Sequence, residues 1–553
     1  MLKSLLKKYF FFFFVICLGI SGFVLFPPYG KEDCYITYRY AYNLFHHKQF
    51  VFNLGERILG TTSPFYTLIL TGVQIFSDKI PEMSNFISFI SASLAGFLLC
   101  LVLKKDNLPV GIFCAICFPF ILRNIGMETN FLIFLFSLSV YLFAGEKYLL
   151  CSAILGLCFL TRQDSAVFIF NIIIMYWLKN KKVPWREFVV FSILIVPWFI
   201  FSYFYFDSLF PTSLVVKKGY TSFIHYFINS LWYLAQYCDR YNFYLFSFLS
   251  QKLTALLSPA DLYAGEISEI SLATLYVLII LLGVIYYIKN VEKHHYAGSV
   301  FYLYPLLMIT VFSFIGPPPL HRWHLTIAIN FALIGQLNLL IVPLLSIIKK
   351  KHPSSLRSTT LPVCLTIVIS FYLLYFVSLN VKDFYTMARN ADRLFWFGAR
   401  FHNYKKIGHF LRDNVSDEEK VFALEAGTIG YYSKKRMIDG SGLMSPSYEI
   451  YCRKGVWLMG IEKEIPDYIV AQDISIPYFE PIFYFQNIFG KKVVYKKSKD
   501  LPKENYPFSE LIQNLSKQKE EKLAIKKKMG TYREKKFGEI YNFSYFSDLF
   551  HSR

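Results

Sequence analysis

The chain is predicted to be a polytopic α-helical membrane protein that ends in a soluble α/β domain. Three observations predict this. Its 553 residues are 55% hydrophobic and 19% aromatic, with a mean hydropathy of +0.39. Apolar runs near the ~20 residues needed to cross a bilayer recur along it. After Asn380 the composition turns polar, and short apolar runs alternate with turns at Gly427, Gly430, Gly440 and Gly442. Helices are the expected spanning element, because lipid offers a backbone no hydrogen-bond partner. The alternating ten-residue segments of a membrane barrel are absent from the sequence.

Taken in order, Lys3, Lys7 and Lys8 precede the apolar run Tyr9–Phe26. No small-residue cleavage site follows it, so it reads as an uncleaved first helix with a cytoplasmic N-terminus. Further apolar runs cover about Met83–Leu103, Leu108–Leu122, Met127–Phe143, Tyr148–Leu160, Ala166–Leu178, Phe188–Phe206, Ile270–Ile288, Ser299–Ile315, Leu325–Ile348 and Leu361–Leu379. Pro64–Phe76 is only about half the preferred length and reads as re-entrant or surface-lying; a full span there would put Lys104 and Lys105 outside. Phe223–Ser250 reads either as an interfacial segment or as one more helix. The basic loops at Lys179, Lys181, Lys182 and Arg186, at Lys289 and Lys293, and at Lys349–Lys351 belong in the cytoplasm. That parity puts 126–130, 161–165, 207–221 and 317–324 outside, with everything after Asn380.

In the last part, Tyr404–Asn414 has helical spacing. Val421–Leu424, Asp467–Ala471 and Val493–Tyr495 read as strands. Ser516–Lys536 reads as a solvated helix or a flexible segment. The expected domains are therefore 1–380, with a first outer loop at 27–63, and 381–553.

Net charge is +20, from 58 Lys and Arg against 38 Asp and Glu. Much of the excess flanks helices, where it sets orientation and meets anionic lipid. No basic recognition helix or aromatic RNA-binding signature is present, so nucleic acid is not an expected partner. Of the ten cysteines, most lie in apolar runs and read as small core residues. Cys34, Cys238 and Cys452 lie in segments expected outside.

Parity gathers ionisable groups at one face: Glu32, Asp33, Arg39, Arg57, Glu128, Arg162, Asp164, Lys217, His321 and Arg322. Such groups at a membrane edge are costly and default to functional candidates. A carboxylate base beside cations that grip a phosphate suits group transfer. Each has a plain alternative. Glu32–Asp33 can be a solvated pair at a helix end, Arg39 a snorkelling side chain, Glu128 a helix cap, and Arg162–Asp164 a local ion pair. His321 and His324 lack a third metal ligand, so no metal and no other cofactor is called for.

The runs E-D-C-Y-I-T-Y-R-Y, F-V-F-N-L-G-E-R and T-T-S-P-F-Y-T-L resemble the first outer loop of the GT-C membrane glycosyltransferases, in particular the bacterial branch that includes the mycobacterial terminal arabinofuranosyltransferase. G-M-E-T (Gly126–Thr129), L-T-R-Q-D (Leu160–Asp164), F-P-T-S-L-V-V-K (Phe210–Lys217), H-R-W-H (His321–His324) and I-D-G-S-G-L (Ile438–Leu443) are similar to other pieces of it. Glu32 stands where the family's first acid is Asp, Cys34 where it has Ala, Leu54 where it has Pro, and Leu59 where it has an acid.

The resemblance implies a GT-C fold of about 11 transmembrane helices and an inverting hexosyl- or pentosyltransferase. It implies a sugar moved from a polyprenyl-phosphate donor to a glycan or glycolipid acceptor of the envelope, at the outer face of a bacterial plasma membrane. Asp33, with Glu32, falls on the catalytic position. The rival readings are a transporter or flippase of a charged lipid, and a membrane-anchored binding protein.

Overall fold

The computed structural model describes residues 32–103, 124–216, 300–315, 396–453, 457–487 and 490–500, with a few single residues besides. Tyr9–Phe26, Leu108–Leu122, Ile270–Ile288, Leu361–Leu379 and Ser516–Lys536 lie outside the described residues, as do most of Phe223–Ser250 and Leu325–Ile348. The chain divides into two compact units, 1–398 and 399–553.

The first unit begins with α1 (Glu32–His47), whose acidic first turn and two terminal histidines complement the helix dipole. Almost its whole middle is buried, from Cys34 to Ala41. The loop that follows is buried too, so its backbone needs partners, and α1 supplies them. Asn43 Nδ2 donates to Val51 O and Phe52 O, both at 2.9 Å. Gly60 N donates to the Tyr40 hydroxyl at 3.0 Å.

Next comes α2 (Pro64–Val73), opened by a proline whose missing N–H costs nothing there. Ten residues rise only about 15 Å against a hydrocarbon core of about 30 Å. The helix lies along α1: Thr37 meets Ser63 at 3.3 Å, and Gln74 Nε2 donates to Ala41 O at 2.9 Å. Its length falls short of a span, and Lys104 and Lys105 lie outside the described residues.

The long helices follow: α3 (Ile80–Leu103), α4 (Thr129–Ala144), α5 (Tyr148–Thr161), α6 (Ala166–Asn180) and α7 (Trp185–Phe206). Short α8 (Thr212–Val216) and α9 (Val300–Ile315) complete the described part. Among the described residues, two helices, Ile80–Leu99 and Trp185–Phe206, are long and apolar enough to cross a membrane. α7 is widely exposed: Trp185, Ile193, Ile200, Tyr203 and Phe204 all lie at the surface. The interior is aromatic instead. Phe136 of α4 stacks on Phe168 of α6 at 3.8 Å, and Tyr304 of α9 stands edge-on to both. Gly156 lets α5 approach α7; a Cβ there would lie 3.0 Å from Leu194 Cδ1.

The second unit is an α/β sandwich. After α10 (Trp396–Asn414) come β1 (Lys420–Ala423), α11 (Ala426–Ser433), β2 (Arg436–Asp439), α12 (Glu449–Arg453), β3 (Tyr468–Gln472), β4 (Phe479–Asn487) and β5 (Gly490–Lys497). The strand order is β2-β1-β3-β5-β4. β1 pairs parallel with β2 and β3, whereas β5 pairs antiparallel with β3 and β4. Phe422, Ile438, Leu458, Ile461, Ile469 and Val493 fill the core of one face.

The D-G-S-G-L stretch proves to be a turn. Ser441 N and Met444 N donate to the two Asp439 carboxylate oxygens at 2.8 and 2.9 Å. Burial pushes that carboxyl up from its ordinary range, and these donors pull it back. Gly442 has φ +83, and a Cβ on it would lie 2.6 Å from the Glu449 backbone, so only glycine fits.

Candidate active site

The site grows from Gly126. It sits at φ 78, where a side chain would be strained, in the short loop before α4. Its carbonyl accepts from the Tyr38 hydroxyl at 2.8 Å and from Ser84 Oγ at 2.7 Å. Its N–H donates to Ser88 Oγ at 3.3 Å. Cys34 Sγ lies 3.9 Å from Ile125 O, and Tyr66 reaches Ser84 at 2.7 Å. One loop is thus joined to α1 and α3 directly, and to α2 through Ser84.

Glu128 follows two residues later at the start of α4. Its side chain makes no cap hydrogen bond. Instead Oε1 accepts from Arg162 Nη1 at 2.8 Å. Arg162 caps α5 and turns its other nitrogens to Asp164: Nε to Oδ1 at 3.0 Å and Nη2 to Oδ2 at 2.6 Å. Glu128 and Arg162 are buried and Asp164 is partly buried. Burial works against the guanidinium charge, but Asp164 and then Glu128 outweigh it and raise its pKa. Two carboxylates against one cation leave the cluster with one net negative charge.

Both plain alternatives for these residues therefore give way to a third arrangement. Glu128 is a partner of Arg162 rather than a cap, and Arg162–Asp164 is one arm of a three-residue cluster. All three guanidinium nitrogens of Arg162 donate to carboxylates, so the side chain ties the start of α4 to the turn after α5.

Asp33 and Glu32 occupy the first turn of α1, half-buried, one and two residues from the cysteine that touches the Ile125 carbonyl. The chain path thus carries the acidic turn to the loop that leads into Glu128. Arg39 goes elsewhere. It is buried, donates from Nε to Phe52 O at 2.7 Å and lies 4.6 Å over the Phe52 ring. Burial lowers its pKa to about 9 against the pull of Glu56, so it stays charged at neutral pH. Its work is to hold the loop after α1, because a buried guanidinium needs that carbonyl.

Arg57 is exposed, with its guanidinium 4.8 Å over the Tyr205 ring at the end of α7. Thr212 N donates to Leu59 O at 3.0 Å, joining the P-T-S stretch to the same loop. Lys217, His321 and Arg322 lie outside the described residues. Among the described residues, no three His, Cys, Asp or Glu side chains gather as a metal site.

Sequence reasoning missed Tyr38, Ser84 and Ser88. Their signal was there: in S-N-F-I-S-F-I-S, the serines at 84, 88 and 91 recur at helical spacing inside an apolar run.

Residues 395–521 match a family described as "Domain of unknown function (DUF8728)". No curated protein matches the chain. In structure the chain is similar to ArnT from Cupriavidus metallidurans bound to undecaprenyl phosphate, with 9% identity and a TM-score of 0.52 over 89% of this chain and 99% of that one. The apo state of the same protein aligns with 10% identity and a TM-score of 0.50, covering 87% and 97%. Identity this low speaks for the fold alone, a helical membrane unit followed by a smaller sheet-containing unit.

Proposed function

We propose that the chain is an inverting membrane glycosyltransferase that takes a sugar from a polyprenyl-phosphate donor at the outer face of the membrane. The observation that carries this reading is a convergence. The acidic turn of α1, the Glu128–Arg162–Asp164 cluster and the Arg57–Leu59 loop all lie at one end of the bundle. Undecaprenyl phosphate in the similar ArnT structure supports a donor of that class. The opposite end carries Lys147, Lys179, Lys181, Lys182 and Arg186, the charge expected of a cytoplasmic side. Among the described residues, α3–α7 and α9 hold Asp, Glu, Lys and Arg only in their terminal turns. A flippase is expected to hold them near the midplane.

In this reading Asp33 accepts the proton of an acceptor hydroxyl as its oxygen attacks the anomeric carbon. The bond from that carbon to the phosphate oxygen breaks, and polyprenyl phosphate leaves with its electron pair. Arg57, Lys217 and Arg322 are the cations proposed for the phosphate. The unit from residue 399 onward is proposed to lie outside and to meet the acceptor.

The test is transfer by the full chain in lipid nanodiscs, supplied with synthetic polyprenyl-phosphate hexoses and pentoses. Asp33→Asn is expected to lower turnover by about 100- to 10,000-fold, the usual worth of a general base, with an unchanged melting temperature. Normal turnover by that variant ends the assignment of Asp33.

A further inference from the structure

Lysines at the two ends of the second unit's sheet are held in different ways. Helix α10 lies against the β4–β5 hairpin: Phe410 stacks on Phe483 at 4.2 Å, and Lys406 Nζ stands 5.2 Å over the Phe485 ring. Phe485 pairs with Lys492 of β5, and Lys492 Nζ stands 5.6 Å over the Tyr404 ring. Lys405 Nζ stands 5.1 Å over the Tyr432 ring. An aromatic face steadies an ammonium group without cancelling its charge. Among the described residues, no ion pair involves any of these three lysines. Lys406 is exposed, and Lys405 and Lys492 are half-buried. At the other end of the strands, Lys420 meets Glu464, Lys435 meets Asp417 at 2.6 Å and Lys497 meets Asp467 at 2.6 Å. Glu425, which accepts from the Tyr404 hydroxyl, and exposed Asp473 share the first end and do not balance three lysines.

We propose that Lys405, Lys406 and Lys492 form a docking face for a bilayer surface of anionic phospholipid. Charge complementarity selects an anion, and the chain selects the bilayer. α10 opens with Trp396 and Phe397, a short way after the last apolar run ends at Leu379. Aromatic residues beside lysines are the composition of a bilayer interface. Tyr484, one residue before Phe485 on the same strand, is 49% exposed. A unit tethered to the membrane by its own chain needs little further attraction to rest on it. Each lysine near an anionic surface favours the docked state about fivefold, ~1 kcal/mol, and three favour it about 100-fold.

The experiment is amine footprinting of the full chain by mass spectrometry, in nanodiscs of phosphatidylcholine alone and of phosphatidylcholine with phosphatidylglycerol. Labelling of Lys405, Lys406 and Lys492 is expected to fall about 10-fold in the anionic discs. Labelling of exposed Lys463 and Lys499, at the other end, is expected to stay within about twofold. Raising the salt to about 1 M, which shortens the screening length to about 3 Å, is expected to restore the labelling. Lys492→Gln removes one of the three charges and is expected to raise the labelling of Lys405 and Lys406 in anionic discs about fivefold.

Equal labelling in the two kinds of disc overturns the inference. Equal protection of Lys463 and Lys499 also overturns it, since the whole basic chain is then attracted rather than one face. Protection by inorganic phosphate in phosphatidylcholine discs, with none from phosphatidylglycerol, overturns it by making the cluster a site for a soluble anion. None of these readings involves glycosyl transfer, so failure here leaves the proposed function standing.

Discussion

Helix α4 carries an ion pair at each end, and the two differ in almost everything except charge. At its start, Glu128 meets Arg162 with side chains 8% and 7% exposed. Just past its other end, Glu146 meets Lys179 at 2.7 Å, with side chains 66% and 25% exposed. The first pair is desolvated, bidentate on its Asp164 side and follows a loop bonded to α1 and α3. The second is a direct contact at the surface, with the lysine also 5.7 Å from the Tyr148 ring. One end of the bundle has been built around its charges, whereas the other merely displays them. That contrast, rather than the presence of ion pairs, separates a site from a surface.

Arg162→Met breaks the comparison most severely. It removes the guanidinium that both Glu128 and Asp164 bond, at a cost of about 3–5 kcal/mol. Thermal unfolding of the detergent-solubilised chain reads this as a large drop in melting temperature. Neutralising all three at once, with Glu128→Gln, Arg162→Met and Asp164→Asn, is expected to regain much of the loss, because no uncompensated charge remains.

Tyr38→Phe sharpens it. The variant removes one of two donors to the Gly126 carbonyl while Ser84 keeps the other, so about 0.5–1.5 kcal/mol is expected by the same measurement. The smallest effect belongs to the far end. Lys179→Ala is expected to change stability by about 0–1 kcal/mol, and salt to mask what remains. A large effect there would mean that the two ends are not different in kind.

Much of the first unit was legible because its signals are local. Apolar run length marks a spanning helix whatever its neighbours do, and basic loops mark an end. Pro64–Phe76 was readable as too short to cross for the same reason. The strands at Val421, Tyr468 and Val493 followed from short β-rich runs between glycines. The carboxylates of the site were also visible, since ionisable groups stand out against an apolar background.

Their partners were not visible. Arg39 and Arg162 look alike in sequence, an arginine a few residues from an acid. Only packing sends one to a backbone carbonyl at Phe52 and the other to Glu128, 34 residues away. Nor does G-M-E-T announce that its glycine carbonyl will collect a tyrosine and a serine from two other helices.

The amino-acid order by itself determined that this is a chain of membrane helices with an acidic pair, Glu32–Asp33, near its start and a polar α/β tail, because hydropathy and turn chemistry act over a few residues. Tertiary structure alone decided which charges are buried together and which backbone carbonyl each buried side chain serves. Those outcomes depend on contacts between residues far apart in the chain, where burial sets the strength of every charge and hydrogen bond.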